Sequence, residues 1–230
     1  MSETAPPAPP LPAVVTPDAR RAVALVVGVV ATVAFVALRV AVDICNRAPF
    51  PIDEWWHGLM VASASDPVTT LARIPATVGG TIGMIITGIV IILLFLWRRR
   101  PWDAATLAAA MVLVVAIGTT LAAVIARVRP ADSMAEANAT SFPSGHTAVA
   151  TTVALILALL LRRWYVWVLG VCWVLGMMWS RTYLRAHWLS DVTAGMLEGI
   201  AVTCLVWCAI EAYRDRRARG RTALASAVAD

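Results

Sequence analysis

Along the chain, long uncharged apolar runs alternate with short polar segments edged by arginine. The first run goes from Ala22 to Leu38, is interrupted by Arg39 and resumes to Ile44. The others are Thr81 to Trp97, Ala104 to Ala126, Gly145 to Leu161, Trp164 to Trp179 and Val192 to Ile210. A helix needs about 20 apolar residues to cross the hydrocarbon of a bilayer, and flanking arginines that snorkel let the shorter runs reach across. The pattern therefore predicts an all-α protein, an integral membrane bundle of six transmembrane helices. Residues 1–19 hold six of the thirteen prolines and no periodic apolar face, which predicts a disordered Pro-rich tail. Residues 20–212 form the predicted membrane domain and 213–230 a basic tail. Segment 45–80, in the first outer loop, contains short amphipathic stretches divided at Asp66-Pro67, which predicts short interfacial helices.

Composition agrees with that pattern. The chain is 60% hydrophobic and only 14% charged, where a soluble domain carries about 25% charge, so most of its surface must face lipid. Disorder, collagen and a disulfide-stapled secreted domain are excluded. Every one of the 19 basic residues is arginine. Twelve of them (20, 21, 98–100, 162, 163 and five from 214 to 221) lie at alternate ends of the runs, against six on the opposite side. The positive-inside rule then predicts a multi-pass protein of the cell membrane with both termini cytoplasmic and segments 45–80, 127–144 and 180–191 facing outward. The positives form no single stripe, so the net charge of +5 does not indicate nucleic acid. The four cysteines form no CxxC and have no histidine nearby, predicting neither a disulfide nor a metal site; no cofactor is implied.

The polar residues gather at the outward ends of runs three to six, in three clusters. Arg127-Val-Arg129-Pro130 follows run three; two guanidiniums on a short turn suit capture of phosphate or carboxylate oxygens, or else anchor the interface. Ser141-Phe-Pro143-Ser144-Gly145-His146 opens run four, where free N–H groups and the positive dipole end make an anion site beside His146. Ser180-Arg181-Thr-Tyr-Leu-Arg185-Ala-His187-Trp-Leu-Ser-Asp191 joins runs five and six. His187 and Asp191 are four apart; on one helix face the carboxylate can hold one imidazole nitrogen as N–H and leave the other nucleophilic.

Arg-Pro, then Pro-Ser-Gly-His, then Ser-Arg, five residues, His, three residues, Asp, in this order, resemble the three-part signature of the type 2 phosphatidic acid phosphatase superfamily, whose site is related to that of vanadium haloperoxidases. The resemblance covers about residues 20 to 212 and implies a metal-independent lipid phosphate phosphatase. In it His187 attacks phosphorus, Asp191 orients His187, and His146 protonates the leaving oxygen. Arg129, Arg181, Ser144 and the Gly145 N–H hold the phosphate oxygens. The expected substrate is a lipid phosphate, of the polyprenyl diphosphate or phosphatidate type, met at the outer surface among membrane lipids. The alternatives are a phosphotransferase using the same phosphohistidine and a non-catalytic lipid-binding or transport relative.

One position departs from the signature. The family places a lysine seven residues before Arg129, and this chain has Ala122 there. Arg127 or Arg185, both in signature segments, is the expected compensating cation. Among the remaining polar residues, Glu198 lies seven residues past Asp191 and so about 9 Å deeper than Val192; Arg39 is its expected partner. His57 reads as interfacial, Tyr183 as packing or substrate contact, and Gly170, Gly176, Gly195 and Gly199 as helix-packing positions.

Overall fold

A computed structural model of the chain describes residues 17–134 and 140–229. Among the described residues there are eight helices: α1 (Pro17–Ile44), α2 (Pro51–Ala62), α3 (Asp66–Val78), α4 (Thr81–Trp97), α5 (Pro101–Ile125), α6 (Gly145–Leu161), α7 (Trp164–Tyr183) and α8 (Leu189–Ala229). Each of the six apolar runs is a helix, and α4 and α6 match their predicted limits at both ends. By length and composition α1, α5 and α8 can each cross a membrane, and α3 with α4 makes a fourth if that bent pair is one span. Helix α6 is apolar but shorter.

The outer loop divides as its Asp66-Pro67 break implies, into α2 and α3. Proline in the first turn of each costs nothing, since the N–H it lacks would have no intrahelical partner. Most of the predicted Pro-rich tail lies outside the described residues; α1 begins at Pro17. The predicted basic tail continues α8, whose 41 residues extend about 60 Å at 1.5 Å per residue, well beyond a bilayer.

Helix α8 is the axis of the bundle, packed against α1, α5 and α6, with α7 against α6 and α4 against α5. The main core draws Met84, Leu107, Val114, Ile156 and Val202 from α4, α5, α6 and α8. Large apolar side chains on the outer faces are exposed, among them Val26, Val33, Ile86, Leu93, Val112 and Leu169, as lipid contact requires. Small residues bring α8 close to α6: a Cβ on Gly195 would lie 2.4 Å from the Ser144 carbonyl oxygen, and one on Gly199 would lie 2.6 Å from that of Ala148. Gly170 meets Ala154 in the same way. Gly176 does not fit this expectation, because nothing lies within 4 Å of a Cβ placed there.

The proposed Arg39–Glu198 pair does not form. Arg39 pairs with Asp43, one turn along its own helix, at 3.1 Å. Glu198 faces α5, its Oε1 lying 3.2 Å from where a Gly118 side chain would begin, and neither carboxylate oxygen has a hydrogen-bond partner among the described residues. Equal depth in two helices says nothing about which way each side chain faces.

Candidate active site

The three motifs meet at one end of the bundle. Helix α5 stops at Ala126, which takes the left-handed conformation, and the chain continues extended. Val128 and Thr140 form an isolated antiparallel bridge, and the Ser141 N–H donates to the Arg127 carbonyl at 2.8 Å. The first motif is thereby tied to the second. The third joins through Trp188, whose indole N–H donates to the Val128 carbonyl at 3.0 Å, and through the Ser144 N–H, which donates to the Asp191 carbonyl at 3.1 Å.

A cavity of about 350 Å³ opens between these segments and α4, α5 and α6. Arg129, Gly145, His146 and His187 line its polar end, while Met84, Ile85, Met111, Val114 and Val149 make an apolar wall. Nothing lies within 4 Å of a Cβ built on Gly145, so the first turn of α6 is open to a ligand. A Cβ on Gly80 would lie 3.8 Å from His146 Nε2, which brings the α3–α4 junction against this histidine.

His187 is buried and held on both sides. Its Nδ1 lies 2.7 Å from the Ser141 carbonyl oxygen, and its Nε2 lies 3.2 Å from Arg129 Nη1. A carbonyl can only accept and a guanidinium can only donate. The ring is therefore neutral, with the proton on Nδ1 and the lone pair on Nε2. Burial, the Arg181 and Arg129 charges and His146 all hold its pKa well below the usual histidine value. Arg129 also donates to the Ala186 carbonyl.

The Asp191 carboxylate does not take the His187 N–H as the i, i+4 spacing suggests, since Oδ2 and Nδ1 are 3.9 Å apart. That oxygen accepts from the Trp188 N–H at 2.9 Å, capping the first turn of α8. Its Oδ1 accepts from Arg127 Nη1 at 2.6 Å. Ser144 also lies away from the cavity lining, its hydroxyl 3.2 Å from that of Thr147. Arg181 is buried and acts on His187 through its charge.

Ala122 lines the cavity, and neither expected compensating cation, Arg127 or Arg185, is among its lining residues. Arg127 is fully buried, and all five of its N–H groups are engaged. They reach the Arg47 carbonyl, Ser190 Oγ, Asp191, the Ala48 carbonyl and Asp53 Oδ2. Arg185 is half-buried, pairing with Asp132 at 2.9 Å and touching the Met134 sulfur. Residues 127 and 129 flank the bridge residue Val128; Arg127 enters the buried network and Arg129 lines the cavity.

That network rests on Asp53 of α2, which sequence reasoning passed over. Its carboxylate accepts from the Phe50 N–H at 3.0 Å, the Ser190 N–H and hydroxyl at 2.7 Å each, and Arg127 at 3.0 Å. Asp53 thereby fixes the start of α8. Its only sequence signal is an acid in the third position of a Pro-initiated helix. Tyr183 is structural as well, its hydroxyl donating to the Ser63 carbonyl and accepting from the Ser65 N–H. His57 pairs with Asp132 at 3.3 Å and packs at a tilt against Trp188, with the ring centroids 5.5 Å apart.

The chain is similar to several known proteins. The PAP2 superfamily model matches residues 103–215. An undecaprenyl-diphosphatase from Sulfolobus acidocaldarius is 32% identical over 120 residues, which cover 49% of this chain and 58% of that relative's length. The crystal structure of a transmembrane PAP2-type phosphatidylglycerolphosphate phosphatase from Bacillus subtilis superposes with a TM-score of 0.70 at 20% identity, covering 82% of this chain and 96% of that one. LpxE from Aquifex aeolicus superposes at 0.61 with 21% identity, covering 69% and 96%. Residues 103–215 thus match the PAP2 superfamily, and the chain is a multi-pass membrane protein.

Proposed function

We propose that the chain is a metal-independent membrane lipid phosphatase acting through a phosphohistidine on His187. The observation that carries this reading is the two-sided hold on that ring, with an acceptor at Nδ1 and a donor at Nε2. It leaves an unprotonated nitrogen at the polar end of a cavity whose other wall is apolar. A phosphoryl oxygen entering there takes the Arg129 donor, and phosphorus meets the released lone pair.

The Nε2–P bond forms as the P–O bond to the lipid breaks in line, and His146 gives its proton to the leaving oxygen. Water then attacks the phosphohistidine, His146 takes the water's proton, and phosphate leaves. Phosphoryl transfer asks chiefly for positioning and charge stabilisation. Arg129, the Arg181 charge and the open first turn of α6 supply these. Ser144 and Asp191 serve by fixing the two helix starts that carry His146 and follow His187. The apolar wall of α4, α5 and α6 receives the lipid chain, and a polyprenyl diphosphate or a phosphatidate-type lipid fits this division of surfaces.

In the membrane, α1, α4, α5, α6, α7 and α8 are the six crossings. The distribution of arginines supports an outward-facing site and cytoplasmic termini. The test is phosphate release by detergent-purified protein from polyprenyl diphosphate, phosphatidate, phosphatidylglycerol phosphate and a sphingoid phosphate, with His187→Ala as blank. Release from at least one of these without added metal or acceptor is expected; none above the blank contradicts the reading.

A further inference from the structure

At the end of the bundle opposite His187, two adjoining recesses carry an excess of arginine that neither the fold nor the proposed chemistry uses. The first, about 430 Å³, lies between the α4–α5 turn, the end of α6 and the middle of α8. The second, about 580 Å³, lies beside it, and the two share Pro101, Trp102 and Arg214. Together they are lined by Arg99, Arg100, Arg162, Arg214, Arg217 and Arg221 against two carboxylates, Asp103 and Glu211.

The carboxylates are already committed. Arg100 pairs with Asp103 and donates to the Leu160 carbonyl, and Arg214 pairs with Glu211 and lies 3.8 Å from Asp103. Arg217 lies over the Trp102 ring, its guanidinium carbon 5.9 Å from the centroid. Arg99 and Arg162 line the first recess and have no side-chain hydrogen bond or ion pair among the described residues. They come from different turns, each in the left-handed conformation, and converge on one space. Scattered topology signals need no such convergence.

The surroundings define the ligand. Trp97, Trp164 and Tyr213 are exposed at this end of the bundle, forming the aromatic belt that sits at headgroup level. Leu159 and Trp207 supply apolar lining within the recess. Paired guanidiniums beside apolar surface at that depth match a phosphate ester whose chains remain in the bilayer. We propose that these recesses form a second anion site, which binds the phosphodiester headgroup of an anionic glycerophospholipid and clamps the α4–α5 and α6–α7 turns to α8.

The shared chemistry with free phosphate is separable by experiment. Delipidated protein in detergent is titrated with phosphatidylglycerol, with cardiolipin, with phosphatidylcholine and with inorganic phosphate; binding is read by native mass spectrometry and by the shift in melting temperature. Arg99→Gln/Arg162→Gln is compared with Arg216→Gln/Arg219→Gln, which removes equal charge from exposed α8 positions outside both recesses. The wild type and the control should bind both anionic lipids, and the Arg99/Arg162 variant should lose about tenfold in affinity. Equal losses in both variants, no loss in either, binding of phosphatidylcholine as tightly as the anionic lipids, or an equal thermal shift from inorganic phosphate alone would each overturn the proposal.

Discussion

Asp53→Asn should damage both the fold and the site, although Asp53 is absent from the family's motifs. The wild-type carboxylate accepts four hydrogen bonds, from Phe50, Ser190 twice and Arg127. An amide has one acceptor oxygen with two lone pairs, and its NH₂ group would face donors. At least two of the four donors lose their acceptor, at about 1.5 kcal/mol or more each for charge-assisted bonds. Arg127 is left with one buried carboxylate in place of two. The loss should be about 3–5 kcal/mol, the range for breaking a buried ion pair, or a drop of roughly 10 °C in melting temperature for a chain of this size. Ser190 is the second residue of α8 and His187 precedes that helix, so a shift of about 1 Å there should also cut turnover about a hundredfold. Thermal unfolding and phosphate release in detergent read the two effects. Glu54→Gln, at the exposed next position, is the control. If Asp53→Asn melts with this control and turns over at its rate, the buried network does not position the site.

Three further outcomes follow from the same geometry. Because the His187 pKa is held well below its usual value, the ring stays neutral as the pH falls through 6.5. The acid limb of kcat/KM assigned to it should therefore lie well below that pH, and Arg129→Gln should move it upward; a wild-type limb at 6.5 or above would contradict the assignment. The matching stability effect has a definite sign: the unfolded chain binds this proton first, so stability is full above pH 6.5 and declines as the pH drops from there toward the folded pKa. Glu198→Leu should raise the unfolding midpoint by a few degrees, since it removes a buried carboxylate without a partner; a lower midpoint would show that Glu198 has a stabilising partner. Gly195→Ala should cost about 1–3 kcal/mol and at least tenfold in turnover, because its Cβ meets the Ser144 carbonyl. Gly176→Ala, with open space around it, should be neutral or slightly stabilising by melting temperature.

The helices were legible because lipid demands long apolar runs, and that demand is written residue by residue. The motifs were legible because the His146, His187 and Arg129 side chains carry their chemistry in their identity. The acceptor on His187 was not, because it is the Ser141 backbone carbonyl and any residue offers one. Spacing allowed an Asp191–His187 hydrogen bond, but the helix cap at Trp188 and the Arg127 guanidinium claimed the carboxylate first. Arg127 and Arg129 look equivalent in sequence and are told apart only by their surroundings in the fold, since one meets the Asp53 and Asp191 carboxylates and the other lines the cavity. Glu198 failed to find Arg39 for a similar reason, since periodicity fixes depth along a helix and leaves the facing direction open. Asp53 was hidden because a first-turn acid ordinarily does no more than cap its own helix, and here it also receives another.

The most direct test of the account is trapping of the covalent intermediate. Detergent-purified protein is quenched in alkali within one turnover of a ³²P-labelled lipid phosphate, and the phosphorylated residue is identified by acid lability and peptide mapping. The account predicts label on His187 Nε2 that is stable to base, absent in His187→Ala, and still formed in His146→Ala on a substrate with a good leaving group. Turnover without any label on His187, or label retained in His187→Ala, would contradict it.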